Sequence, residues 1–127
     1  MGDTTTEAAT VGTRMTREFV EVAPEDTVGE VAERLAAADT GSALVVAYGR
    51  LVGILTSRDL LRCLASRSHP SDARVREWMT EEPVVVDAGL PAEEAVRLMA
   101  AGGFHHLPVV DGERPVGVVG LRALVRP

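Results

Sequence analysis

Gly53-Ile54-Leu55-Thr56-Ser57-Arg58-Asp59-Leu60 returns 64 residues later as Gly117-Val118-Val119-Gly120-Leu121-Arg122-Ala123-Leu124. In both copies an apolar run of strand character passes directly into a segment of helix character. The glycine, the arginine and the last leucine coincide, and Ile54 and Leu55 fall on two valines. Working outward at the same offset, Val52 falls on Val116, Arg50 on Arg114, and Val45-Val46 on Val109-Val110. Further out, Ala36-Ala37 falls on Ala100-Ala101, Glu30 on Glu94, Val20 and Val22 on Val84 and Val86, Met15-Thr16 on Met79-Thr80, and Val11 on Val75. A self-match of this length without a gap is a tandem duplication. It divides the chain into a flexible N-terminal tail (1–10), a first repeat (11–65), a polar linker (66–74) containing Pro70, and a second repeat (75–127).

Each repeat reads in the same order. Phe19 to Val22 is a short strand that Pro24 ends. Thr27 with Glu30 three residues on forms a capping box, and Val28, Val31, Ala32 and Leu35 keep helical spacing. Asp39-Thr40-Gly41 stops that helix. Ala43 to Ala47 and Leu51 to Leu55 are strands around a turn at Tyr48-Gly49-Arg50, and Leu60, Leu61 and Leu64 mark a closing helix. The second copy predicts a strand over 83–86, a helix over 91–101, strands over 107–111 and 115–119, and a helix over 121–125. One β-α-β-β-α unit of this size buries too little surface to be secure alone. The expected fold class is therefore α+β, with two pseudo-twofold-related repeats packed through their sheets.

Composition narrows the function. The chain has 127 residues, a net charge of −6, 46% hydrophobic residues and only 3% aromatic residues. The apolar fraction excludes full disorder. The scarcity of aromatics argues against base-stacking platforms, and the acidic balance against a surface that tracks nucleic-acid phosphates. All 13 basic residues are arginine, so neither Schiff-base lysine chemistry nor a phosphate-loop lysine is available. The single Cys63 cannot form an internal disulfide and fits a reducing, cytoplasmic setting. No apolar stretch is long enough to span a membrane, and the N-terminus has no signal-peptide core.

The repeat resembles the cystathionine β-synthase (CBS) domain pair, or Bateman module, over nearly the whole chain. In the first repeat the matching residues are Arg14-Met15-Thr16, Val20-x-Val22-x-Pro24 and Gly53 to Leu60. In the second they are Trp78-Met79-Thr80, Pro83-Val84-x-Val86, His105-His106-Leu107-Pro108-Val109-Val110-Asp111 and Gly117-Val118-Val119. The resemblance implies a stand-alone regulatory module without chemistry of its own. It would bind AMP, ADP, ATP or S-adenosylmethionine in clefts between the repeats, form a homodimer, and act on an unidentified regulated protein. No cofactor is required.

In this family Gly-x-x-Thr/Ser-x-x-Asp places a hydroxyl near phosphate and a carboxylate on the ribose. The match falls on Gly53, Thr56 and Asp59, with Ser57 and Arg58 beside them. The start of a helix presents free N–H groups to an anion, and a carboxylate accepts both ribose O–H bonds. Thr56-x-x-Asp59 is equally an N-terminal cap, and the two roles are compatible for Thr56. His105 and His106 stand where the family often carries a phosphate contact. Strand alternation sends their side chains to opposite faces, so at most one reaches a cleft. Val20, Val22 and Pro108 are core positions that, by analogy, line an adenine pocket. The second copy has Gly120 for Thr56 and Ala123 for Asp59, which predicts at most one good nucleotide site per chain.

Other readings carry less. Trp78 is expected to pack in the core or at a dimer interface rather than stack on a base. The spacing of Cys63, His69, His105 and His106 matches no zinc pattern, so no metal site is expected. No nucleophile–base spacing supports an enzyme. The alternative function is a ligand-independent dimerisation or protein-interaction scaffold, in which Thr56 and Asp59 are only a cap.

Overall fold

The computed structural model describes residues 8–127. Residues 1–7, most of the expected tail, lie outside the described residues. The elements are α1 (Val11–Arg14), β1 (Val20–Val22), α2 (Val28–Ala38), β2 (Ser42–Ala47), β3 (Arg50–Thr56), α3 (Ser57–Ala65), α4 (Val75–Trp78), β4 (Thr80–Glu81), α5 (Ala92–Gly102), β5 (His106–Asp111), β6 (Arg114–Gly120) and α6 (Leu121–Val125). The class is α+β. Two compact units emerge: Phe19–Pro83, and the described part of residues 1–18 together with Val84–Pro127.

The Phe19–Pro83 unit is built on a four-stranded sheet in the order β1-β2-β3-β4. β1 runs parallel to β2, pairing Val20 with Ala43 and Val22 with Val45. β2 and β3 form a hairpin whose two turn residues, Tyr48 and Gly49, both have positive φ (54° and 76°). That geometry matches the right-handed twist of the flanking strands. The capping box before α2 is present: Thr27 Oγ1 accepts the Glu30 N–H at 3.1 Å, and the Glu30 carboxylate accepts the Thr27 N–H at 2.9 Å. The Thr27 N–H, and then the Thr27 hydroxyl donating at 3.0 Å, hold the Glu30 carboxyl below its ordinary range. Val31 and Leu35 of α2 then bury against Val20, Val22, Ala43, Val45, Leu55 and Val75.

The second unit repeats this plan on β5 and β6. α5 buries Ala92, Ala95 and Met99 and ends at Gly103 with φ 72°. Its core also takes in Val11, Val86, Leu107, Val109, Val119 and Leu124. Both hairpins carry a register shift at the matching place, Val45/Val46 and Val109/Val110.

The spatial units are staggered from the sequence repeats. α1 and Thr16 pack with the second repeat, where Thr16 bridges Val118. α4 and β4 pack with the first, where Thr80 pairs with Ile54. A glycine makes each crossing possible. A Cβ on Gly53 would lie 2.7 Å from the Met79 sulfur and 2.9 Å from the Thr80 carbonyl oxygen. A Cβ on Gly117 would lie 2.8 Å from the Thr16 carbonyl oxygen and 2.9 Å from the Met15 sulfur. Only glycine lets these Met-Thr straps close against the hairpins.

Two expectations are corrected. The strand over 83–86 reduces to one parallel bridge, Val86 to Val109, and Val84 and Val85 are exposed. Pro83 lacks an N–H for a ladder, and Glu82 before it has φ 49°, which turns the chain. The helix marked by Leu60, Leu61 and Leu64 is α3; Leu61 and Leu64 are exposed on its outer face, while Leu60 and Cys63 face inward. Ala9 and Thr10 are not frayed: the Ala9 carbonyl accepts the Ala92 N–H at 3.0 Å, and Thr10 bridges Pro91.

Candidate functional site

The end of β3 and the start of α3 hold a buried polar arrangement in the Phe19–Pro83 unit. Thr56 is the last residue of β3 and the N-cap of α3, with extended backbone (φ −113°, ψ 168°). Asp59, one turn into the helix, folds back on it. Asp59 Oδ2 accepts the Thr56 backbone N–H at 2.9 Å and the Thr56 hydroxyl at 3.1 Å. Asp59 Oδ1 accepts Arg62 Nη1 at 2.9 Å. The cap expected at Thr56-x-x-Asp59 is therefore formed.

Asp59 is 5% exposed and Ser42 is 2% exposed, and among the described residues they are the two buried polar side chains. Both adjoin Thr56. Ser42 faces it directly across the β2/β3 ladder, and its Oγ has no hydrogen-bond partner. An unpaired buried hydroxyl costs on the order of 1–3 kcal/mol, which sets this corner apart from the rest of the unit. The helix adds to this, since its first turn directs N–H groups outward. One of them is used internally: Ser57 N–H donates to the Gly41 carbonyl at 2.9 Å. Ser57 and Arg58 are exposed on that first turn. An open groove of about 400 Å³ runs beside Ser57, lined by Leu35, Asp39, Gly41 and Leu60 among others, and does not include the Asp59 carboxylate.

Beneath α3 the packing is apolar. Cys63 is fully buried with Val28 and Ala73, against Leu60 and Trp78. Burial, and then the Glu77 carboxylate, push its thiol above the ordinary range. A thiol so held is inert rather than nucleophilic. Trp78 packs against both core clusters of this unit, and its exposed side carries the Arg62 guanidinium, 5.7 Å from the ring centroid.

Val20 and Val22 lie in this unit's core, at 8% and 3% exposure. Pro108, in the other unit, is fully buried in β5. His105 and His106 also belong to that other unit. Their surroundings differ as strand alternation requires: His105 is exposed and His106 is half-buried. His106 sits opposite Gly120, where Ser42 sits opposite Thr56 in the first unit. A Cβ on Gly120 would lie 3.6 Å from the His106 ring, so the imidazole lies over the space that a side chain there would use. Burial, and then the charge of His105, lower the His106 pKa from its ordinary 6.5. Among the described residues no group of three or more His, Cys, Asp or Glu side chains converges in a way that could hold a metal ion. Nor, among the described residues, is any helix long and apolar enough to cross a membrane.

Two participants escaped the reading of the sequence. Ser42 is marked only by its alignment with His106 at the repeat offset. Arg62 is marked only by its position three residues after Asp59, one helical turn away.

The comparisons with known proteins agree with this architecture. The CBS domain model matches residues 8–66 and again 75–126. The CBS domain-containing protein YhcV of Bacillus subtilis is 33% identical over 107 residues, covering 84% of this chain and 76% of that protein. The CBS domain-containing protein CBSCBSPB1 of Arabidopsis thaliana is 38% identical over 101 residues, covering 79% of this chain but only 19% of the plant protein. Among solved structures, the CBS domain crystal structure NE2398 shares 32% identity at a TM-score of 0.81, covering 86% of each chain. The CBS domain protein PAE2072 of Pyrobaculum aerophilum, solved in complex with AMP, shares 26% identity at a TM-score of 0.86, covering 93% of this chain and 92% of that one. With the duplication, the paired hairpins and the Gly-x-x-Thr-x-x-Asp corner all in place, the chain belongs to the CBS domain family and carries the domain twice.

Proposed function

We propose that this chain is a regulatory module that senses an adenosine-containing ligand (AMP, ADP, ATP or S-adenosylmethionine), and that it does so mainly at the Thr56–Asp59 corner of the first repeat. The observation that carries this reading is the coincidence of the two buried polar side chains, Ser42 and Asp59, on either side of Thr56, one of them unpaired. Asp59 anchors the ribose hydroxyls. Thr56 and Ser57 at the helix start meet phosphate, with Arg58 exposed nearby as a counter-charge. His105 and His106 are further candidates for phosphate, and Val20, Val22 and Pro108 for packing around the base. The AMP bound by the Pyrobaculum relative supports the ligand class. The matching corner of the second repeat, Gly120 to Ala123, has neither hydroxyl nor carboxylate and takes such a ligand weakly or not at all.

The module performs no reaction in this reading. It works as a homodimer on a regulated protein, in the cytoplasm. The exposed pair Leu61 and Leu64, one turn apart on α3, supports self-association. The scaffold reading has one observation on its side: Asp59 is already engaged by Thr56 and Arg62.

Thermal unfolding of wild type and Asp59→Ala with AMP, ADP, ATP and S-adenosylmethionine separates the two. A ligand at about 100 times its Kd adds roughly 2.7 kcal/mol of stability. For a chain of this size that is a shift on the order of 10 °C. The expected result is a shift with one of these ligands that Asp59→Ala abolishes. Unfolding insensitive to all four would leave the scaffold reading.

A further inference from the structure

The Asp59 carboxylate is capped from a side that the cap itself does not need. An ionised carboxylate offers about four acceptor positions. Three are occupied: the Thr56 N–H and hydroxyl on Oδ2, and Arg62 Nη1 on Oδ1. A vicinal diol brings two O–H donors and finds one vacancy. The side chain of Asp59 is only 7% exposed, so the diol cannot simply add to the present arrangement.

One donor has to leave, and the three differ in what leaving costs. The Thr56 N–H is fixed by the passage from β3 into α3 and has no other acceptor within the cap. The Thr56 hydroxyl is half-buried. The Arg62 side chain is 59% exposed, so its released N–H groups pass to water. It also has a second resting place, because its guanidinium already lies 5.7 Å from the Trp78 ring centroid. A cation over an indole face keeps much of its stabilisation when one hydrogen bond is exchanged for solvent.

We propose that Arg62 is a displaceable counter-ion of the site: it covers Asp59 in the empty protein, yields Oδ1 to the ligand's vicinal diol, and withdraws onto Trp78. This rests on the reading of Asp59 as the ribose anchor. It follows that the affinity for a ribonucleotide is set against Arg62, and that selection between ribose and deoxyribose is blunted by the same competition. It also follows that Trp78, the one tryptophan of the chain, reports occupancy.

The test compares AMP with 2′-deoxy-AMP by titration calorimetry on wild type, Arg62→Ala and Arg62→Met. The ratio of their affinities isolates the diol, because contributions from phosphate and base cancel. Methionine retains an apolar stem against Trp78, which guards against a packing artefact in the alanine variant. Asp59 is buried but Arg62 is largely open to water, which limits the worth of the pair, so removing it raises the AMP to 2′-deoxy-AMP ratio by about two- to fivefold in both variants. Trp78 emission changes on AMP binding to wild type, and that change is lost in Arg62→Ala. An unchanged or smaller ratio in both variants, with AMP still binding wild type, overturns the displacement and makes Arg62 a bystander or a positioning residue. AMP and 2′-deoxy-AMP binding wild type equally, with no rise in either variant, also overturns it. Failure of wild type to bind any of AMP, ADP, ATP and S-adenosylmethionine overturns the ribose-anchor reading, and the displacement with it.

Discussion

Replacing Gly117 by alanine puts the strap arrangement to a direct test. The added methyl would sit 2.8 Å from the Thr16 carbonyl oxygen and 2.9 Å from the Met15 sulfur. The sulfur ends a flexible side chain and swings away at little cost. The carbonyl cannot, because Thr16 is hydrogen-bonded to Val118 in both directions, N–H to carbonyl, at 2.9 and 3.0 Å. Relief of the clash therefore pushes the strap from the strand and stretches that pair. Overpacking of this kind costs about 1–3 kcal/mol, and two lost hydrogen bonds cost about 0.5–1.5 kcal/mol each. These are alternative routes to the same relief, so the expected net loss is about 2 kcal/mol. For a chain of this length that lowers Tm by roughly 6–12 °C. Urea unfolding should show a lower midpoint with an unchanged slope. Gly89→Ala is the control, since its Cβ would meet only the Asp87 carboxylate at 3.4 Å. Gly117→Ala within about 0.5 kcal/mol of wild type, where ordinary surface substitutions fall, would refute the close approach of Met15-Thr16 to β6.

Two further outcomes follow from the same structure. His106 is held below its ordinary pKa of 6.5 by burial and by His105, so the unfolded chain takes up a proton there before the folded one does. Stability should fall as pH drops below about 6.5 and level off below the lowered folded value, and His106→Gln should flatten that part of a Tm-against-pH profile; a profile identical to wild type would show that His106 titrates alike in both states. The exposed Leu61 and Leu64 should matter to assembly but not to folding: light scattering after size exclusion should find a dimer for wild type and a monomer of similar Tm for Leu61→Glu/Leu64→Glu, and a wild-type monomer would remove the self-association reading.

Much of the fold could be read along the chain because the signals are local. The spacing of Val28, Val31 and Leu35 specifies a helix whatever it packs on, and Thr27 with Glu30 closes its first turn from within four residues. The two hairpins, with their turns at Tyr48-Gly49 and Gly112, are likewise short-range. The duplication itself announced that the helix and hairpin of the first half return in the second, although the strand matching β1 shrinks there to one bridge. Thr56 and Asp59, three apart at a strand end, already pointed to a cap, and the family resemblance made Asp59 a candidate anchor.

What the chain alone did not disclose depends on residues distant in sequence meeting in space. Gly53 and Gly117 recur for a reason visible only once Met79-Thr80 and Met15-Thr16 are found lying against them. Val84 and Val85 have strand composition, yet Pro83 and the turn at Glu82 take them out of the ladder, and the edge of β3 goes to Thr80 and Glu81 instead. Leu61 and Leu64 have the composition of core residues, but helix geometry turns them outward while Leu60 and Cys63 point in. Ser42 became a participant only when the β2/β3 register set it opposite Thr56 and burial left its hydroxyl unpaired. Periodicity and capping act within a few residues and are written in the sequence. Register, burial and the joint hold of Thr56 and Arg62 on one buried carboxylate are settled by which segments arrive at the same place, and only the tertiary structure decides that.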